Sequence, residues 1–125
     1  VYGNPNAYTL TTAPADGGVI PVVRYDVSLA NAYKAKITSP TSFSQSPSLS
    51  DTVTWTGSTT VLEVSDAAMA DYDTNKVVYD ATTEYDLTAT GSTWFKTSST
   101  ATYGYNKAFP GGTYRAVVVA ECIAQ

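Results

Sequence analysis

Between Val23 and Ile37 the apolar residues Val23, Tyr25, Val27, Leu29, Tyr33, Ala35 and Ile37 all fall on odd positions. Arg24, Asp26, Ser28, Lys34 and Lys36 stand between them. A period of two gives an extended chain one face in a core and one in water, and a helix would scatter the same residues around its axis. Few strands run this far without interruption. Ala30-Asn31-Ala32 is therefore predicted to bend or turn, dividing the stretch into two strands.

Weaker alternation recurs along the chain. Tyr8, Leu10 and Thr12 alternate with Thr9 and Thr11 in an amino-terminal arm, residues 1–18, which ends at Pro14 and the turn Ala15-Asp16-Gly17-Gly18. Residues 38–51 are rich in Ser, hold two Pro and have Leu49 as their one aliphatic side chain, so they read as a loop. Val53–Trp55 and Thr60–Val64 read as strands on either side of a turn at Gly57. Ser65–Asp73 is the one helical candidate, with Ser65 or Asp66 as its cap. Lys76–Asp80, Glu84–Thr90, Thr93–Thr97, Ala101–Tyr105 and Thr113–Ile123 complete the strands, and Phe109-Pro110-Gly111-Gly112 is a turn. The sum is an all-β chain: a two-layer β-sandwich of about eight strands, immunoglobulin-like or jelly-roll in wiring, with one short helix at most. Residues 19–125 form the sandwich domain behind the arm.

Composition then narrows the chemistry. The chain has no His, which removes the usual general base near neutral pH and the commonest metal ligand. One Cys, Cys122, makes neither an internal disulfide nor a zinc site, and its apolar neighbours in Ala116–Ala124 predict a buried, inert thiol. Catalysis is not expected, and neither is a cofactor. A net charge of −4 with seven basic residues argues against nucleic-acid binding. The apolar runs are too short to span a membrane. Sparse charge, abundant Thr, Ser and Tyr, and an opening Val-Tyr-Gly without Met suggest a secreted chain whose signal has been removed.

Three constellations carry residue types with chemical potential. Asp71-x-Asp73-x-Asn75 matches the opening of a calcium loop, but Lys76 replaces the turn glycine and Thr82 the closing Glu. A solvated acidic loop is the expected reading. Glu63 and Glu84 are the types a glycosidase pair requires, yet both alternate with apolar neighbours and are expected on outer faces. Trp55, Trp94, Phe95, Tyr103 and Tyr105 would form a sugar platform if exposed together, although core and cross-strand packing is the expected reading of such residues. Trp94 and Phe95, being adjacent, must face opposite sides of a strand.

The stretch Gly111-Gly112-Thr113-Tyr114-Arg115-Ala116-Val117-Val118-Val119 resembles the last strand of fimbrial pilins of the chaperone–usher type, where a Gly-x-Tyr turn enters a terminal alternating strand. Many of those pilins carry a Cys pair that this chain lacks. The resemblance implies a filament of identical subunits, each lending its amino-terminal arm to the sheet of a neighbour. Asn106, Lys34 or Lys36, and Glu84 are also the residue types of the isopeptide crosslinks of some Gram-positive pilins. In the filament reading the arm strand Ala7–Ala13, extending to Val19–Val23, pairs with an adjacent subunit. Tyr8, Leu10, Val19, Ile20, Val22 and Val23 are then the assembly residues. Two other classes remain open on sequence: a secreted module binding a carbohydrate or surface receptor, and a viral or phage structural protein.

Overall fold

The computed structural model describes all 125 residues, and 48% of them are in strands. Nine strands run as β1 (Gly3–Asn6), β2 (Thr9–Thr11), β3 (Val22–Val27), β4 (Tyr33–Thr38), β5 (Val53–Val64), β6 (Val77–Tyr79), β7 (Thr82–Asp86), β8 (Gly91–Tyr103) and β9 (Val119–Ala124). They form two antiparallel sheets, an all-β sandwich as the alternation predicts. The first sheet is built on β8, which pairs with β5 along one side. Its other side is shared between β3, opposite Gly91–Lys96, and β2, opposite Thr100–Thr102, with β1 outside β2. The second sheet has the order β6-β7-β4-β9. No helix is long and apolar enough to cross a membrane.

The period-two stretch divides as expected. The turn between Val27 and Tyr33, with Asn31 at a φ of 63°, carries the chain from one sheet to the other. Tyr25 and Val27 on β3 then face Ala35 and Ile37 on β4 across the core. Tyr85 and Leu87 from the second sheet and Phe95 from β8 fill the centre. Phe95 meets Tyr25 edge-on at 5.6 Å and lies tilted against Tyr85 at 4.3 Å, arrangements that suit the ring quadrupoles. Met69 and Tyr72 close the core from a 3₁₀ turn (Ala67–Met69) followed by α1 (Tyr72–Asn75); the other helical turn, Pro14–Asp16, lies in the arm and buries nothing. Asp66 caps the 3₁₀ turn by accepting the Ala68 N–H at 2.8 Å.

Strands predicted as separate are continuous. Gly57 is not a turn: it sits inside β5, where a Cβ would lie 2.7 Å from the Ser98 carbonyl oxygen. β8 runs unbroken through Ser98, Ser99 and Thr100 because its inward residues alternate without a lapse from Thr93 to Tyr103. Half of that inner face is Thr or Ser. Thr97 bonds Thr59 at 3.0 Å and the Thr12 hydroxyl accepts the Ser99 N–H at 3.0 Å, so these buried groups are satisfied. A hydrophobicity pattern reads such a face as polar.

The final strand is shorter than predicted. Only Val119–Ala124 pairs with β4, and Thr113–Val118 is extended chain held by a single bridge from Arg115 to Gln45. Since β9 lies at a sheet edge, Cys122 is exposed, not buried as its apolar neighbours suggested.

Candidate assembly surface

The expected assembly residues all lie along one side of the sandwich. Tyr8 occupies the two-residue turn between β1 and β2, its N–H bonded to the Asn6 carboxamide at 3.1 Å and its carbonyl to the Tyr103 N–H at 3.0 Å. Leu10 pairs with Ala101 and faces the interior side of the sheet. Val19 is exposed and donates its N–H to the Val1 carbonyl at 2.8 Å. Ile20 is half-buried in the link to β3. Val22 and Val23 pair with Lys96 and Phe95, and Val23 packs on the core while Val22 stays exposed.

The arm is therefore not an unpaired segment in the single chain. Thr9–Thr11 adds to the subunit's own β8, the Thr12 N–H reaches the Ser99 carbonyl at 3.0 Å, and Tyr2 bonds the Ser99 hydroxyl at 2.8 Å. An arm with few charges, separated from the alternating body by Gly17-Gly18, would fray if it had no sheet to join. The half of the β8 edge beyond β3 lacks another partner, and its backbone groups supply what the side chains do not. Residues 1–18 are in this form continuous with the sandwich.

Two clefts open where this side meets the carboxy-terminal segment. The larger, about 590 Å³, lies between Val1, Tyr2 and Leu10 of the arm and Tyr114–Val117. The smaller, about 220 Å³, lies between Pro21, Val22 and Val23 and the pair Val118 and Ala120. Both share the carboxy-terminal segment as one wall, so they form a seam between the edges of the two sheets. One polar bolt crosses it: the Tyr25 hydroxyl donates to the Glu121 carbonyl at 2.7 Å.

Burial, then the nearby Cys122 and Glu121, push the Tyr25 phenol from 10.0 up to about 12. Burial and the Asp73 carboxylate raise Tyr85 as well. A folded pKa above the unfolded one gives stability that is complete below about pH 10 and is lost as pH rises towards about 12. The unfolded chain ionises first and is favoured. We expect an alkaline loss of about 2–3 kcal/mol from Tyr25. Urea midpoints followed upward from about pH 8 should show it, and Tyr25→Phe should flatten part of the fall.

The other constellations do not assemble into sites. The Asp73 carboxylate is turned inward and accepts the Val61 N–H at 3.0 Å and the Tyr85 hydroxyl at 3.0 Å, with Lys76 Nζ 3.6 Å away. It ties α1 to the edge of β5, and Asp71 stays exposed in front of it. No group of three His, Cys, Asp or Glu converges anywhere in the chain. Glu63 stands beside Trp94 on one sheet, while Glu84 lies on the other, 3.8 Å from Lys34.

Of the five aromatics, Trp55 and Tyr103 are linked through Phe43 and Phe109, and the other three lie apart from them. Phe95 is core and Tyr103 is buried, stacked on Phe109 at 5.1 Å. Trp55 packs on Phe43 at 4.8 Å, Trp94 carries Arg24 over its face, and Tyr105 stands 100% exposed and alone. Sequence reasoning missed the packing of Phe43, Phe109 and Tyr114, which meet edge-on and fasten the two long loops. Their loop positions carry no periodicity, so only their size could have signalled them.

No protein-family model, curated protein or solved structure matches the chain.

Proposed function

We propose that this chain is a structural subunit of an extracellular filament, polymerising by exchange of residues 1–18 between neighbouring subunits. The observation that carries the reading is the way the arm is held. It docks through backbone pairing to Thr100–Thr102 and a handful of hydroxyl contacts, and it joins the body through Gly17-Gly18-Val19-Ile20-Pro21. An element that pairs with its own β8 makes the same contacts with the β8 of an identical subunit, so exchange has little net contact energy to overcome. Passed head to tail, without closing into a ring, such an exchange propagates as a fibre. Tyr8 and Leu10 travel with the arm, while Val22 and Val23 line the seam it would leave. Low charge and a surface of Thr, Ser, Tyr and Val support repeated close contacts outside the cell.

Negative-stain microscopy of concentrated full-length chain and of a variant lacking residues 1–13 tests this reading. Filaments from the full chain and folded, dispersed particles from the truncation are the expected pair. Monomers from the full chain at every concentration would overturn the subunit reading. Filaments of unchanged length from the truncated chain would overturn exchange through the arm.

A further inference from the structure

The segment Arg115-Ala116-Val117-Val118-Val119-Ala120-Glu121 reads as a mirror about Val118: one valine and one alanine on each side, then a cation at one end and an anion at the other. Two such strands laid antiparallel about a two-fold axis at Val118 set Val117 opposite Val119, Ala116 opposite Ala120, and Arg115 opposite Glu121. The charge pair occurs twice, once on each side of the axis. The geometry points to this segment as an isologous interface through which two copies of the chain join edge to edge.

Three features of the structure support it independently. First, the edge is free. Gln125 donates to the Ala32 carbonyl, and Arg115 exchanges bonds with Gln45, so odd residues of this strand direct their backbone groups towards β4 and its continuation. The even residues of β9 direct theirs outward, and Ala116 and Val118, which precede β9, have no backbone hydrogen bond on either side. Second, nothing guards this edge: Ala116–Ala120 contains no charge and no proline, the usual protections against strand addition. Val117 and Val119 are 57% and 44% exposed. Third, the side chains of Arg115 and Glu121 have no ionic or hydrogen-bonding partner in their own subunit.

The registers agree as well. With even residues bonding across the axis, Val118 meets Val118 in a hydrogen-bonded pair. The Arg115–Glu121 pairs then fall at non-hydrogen-bonded positions, where facing side chains approach most closely. Shifting the axis to Glu121 would set two carboxylates face to face. The second sheets of both copies become one eight-stranded sheet, and each partner strand covers the seam beside Val118 and Ala120. This two-fold contact uses neither the arm nor β8, so it stands apart from the exchange described above.

Disulfide trapping tests the register directly. In a Cys122→Ser background, Val118→Cys places two thiols about 5.5 Å apart at Cα across the axis, within bridging range. Mild oxidation should give a covalent dimer on a non-reducing denaturing gel, whether the chain is a dimer or a polymer before denaturation. The native Cys122 should not crosslink, because its two copies lie about 26 Å apart along the paired strands. Charge exchange gives the second measurement, by sedimentation equilibrium on chain lacking residues 1–13 and, in parallel, on full-length chain. Arg115→Glu should raise the dimer dissociation constant about tenfold or more, and Arg115→Glu with Glu121→Arg should recover most of that loss. Efficient wild-type crosslinking through Cys122, or absence of the Val118→Cys dimer in folded chain, would overturn the register. Dissociation unaffected by the single charge reversal would overturn the interface.

Discussion

Phe95→Ala should lower the unfolding free energy by about 3–5 kcal/mol, the range for removing a fully buried aromatic ring from a close-packed core. Phe95 is wholly buried and stands where the two sheets are tied together. Its ring contacts Tyr25 from β3 and Tyr85 from β7, so its loss opens a space bordered by both layers. Neither tyrosine can collapse into that space freely. Each is pinned at its hydroxyl, Tyr25 by the Glu121 carbonyl and Tyr85 by the Thr59 carbonyl and Asp73. A cavity that cannot relax falls towards the upper end of the range. Small domains have about 5–15 kcal/mol in total, so the variant should unfold at much lower urea with an unchanged slope. A loss under about 1 kcal/mol would show that the sheets do not meet at Phe95.

Gly18→Ala should cost about 2–3 kcal/mol, near the upper range for forcing atoms into a packed site, and should act on the arm. A Cβ at Gly18 would lie 2.4 Å from the Thr12 carbonyl carbon and 2.5 Å from the Thr11 carbonyl oxygen. Both are backbone atoms of the segment bonded to β8, so no rotamer change relieves the overlap. The arm must shift away from Ser99. Hydrogen exchange should therefore rise at the Thr12 amide while the β3–β8 ladder keeps its protection. Gly111 provides the contrast, since a Cβ there meets nothing within 4 Å. Gly111→Ala should leave stability and exchange unchanged. Equal behaviour of the two variants would mean that residues 1–18 do not follow the path seen here.

These experiments bear on the function through one physical question, the free energy that holds the arm in its own subunit. A weakened arm is easier to exchange. On the proposed exchange of residues 1–18, Gly18→Ala should lower the concentration at which filaments form, whereas Phe95→Ala should lower the yield of folded chain.

Much of the fold can be derived from residue order alone. Alternation at Val23–Ile37 specified two strands with a defined inner face, because side chains on an extended backbone must alternate whatever the strand pairs with. Gly and Pro placed the turns at Gly17-Gly18 and at Phe109–Gly112 through their restricted or permissive backbone angles. The loop at 38–51 and the short helical region followed from composition. The absence of His and the scarcity of charge constrained the chemistry before any geometry was known.

Lateral position is a different matter. A hydrophobic strand carries no label saying whether it has neighbours on one side or two. Ala116–Ala124 reads as core and lies at an edge, and Cys122 is exposed for that reason alone. Likewise, hydroxyl-rich Ser98–Thr100 reads as a break after Thr97 and lies inside the central strand. Thr and Ser are buried there because partners from Thr12 and Thr59, distant in sequence, satisfy their hydroxyls. Asp73 looks like a calcium ligand until Val61 and Tyr85 are brought to it. The sequence by itself determined the periodicity and the turns, both of which depend on near neighbours. Only the tertiary structure decided which edge is open, which hydroxyls are paired and where the arm rests, because each depends on hydrogen-bond partners separated by most of the chain.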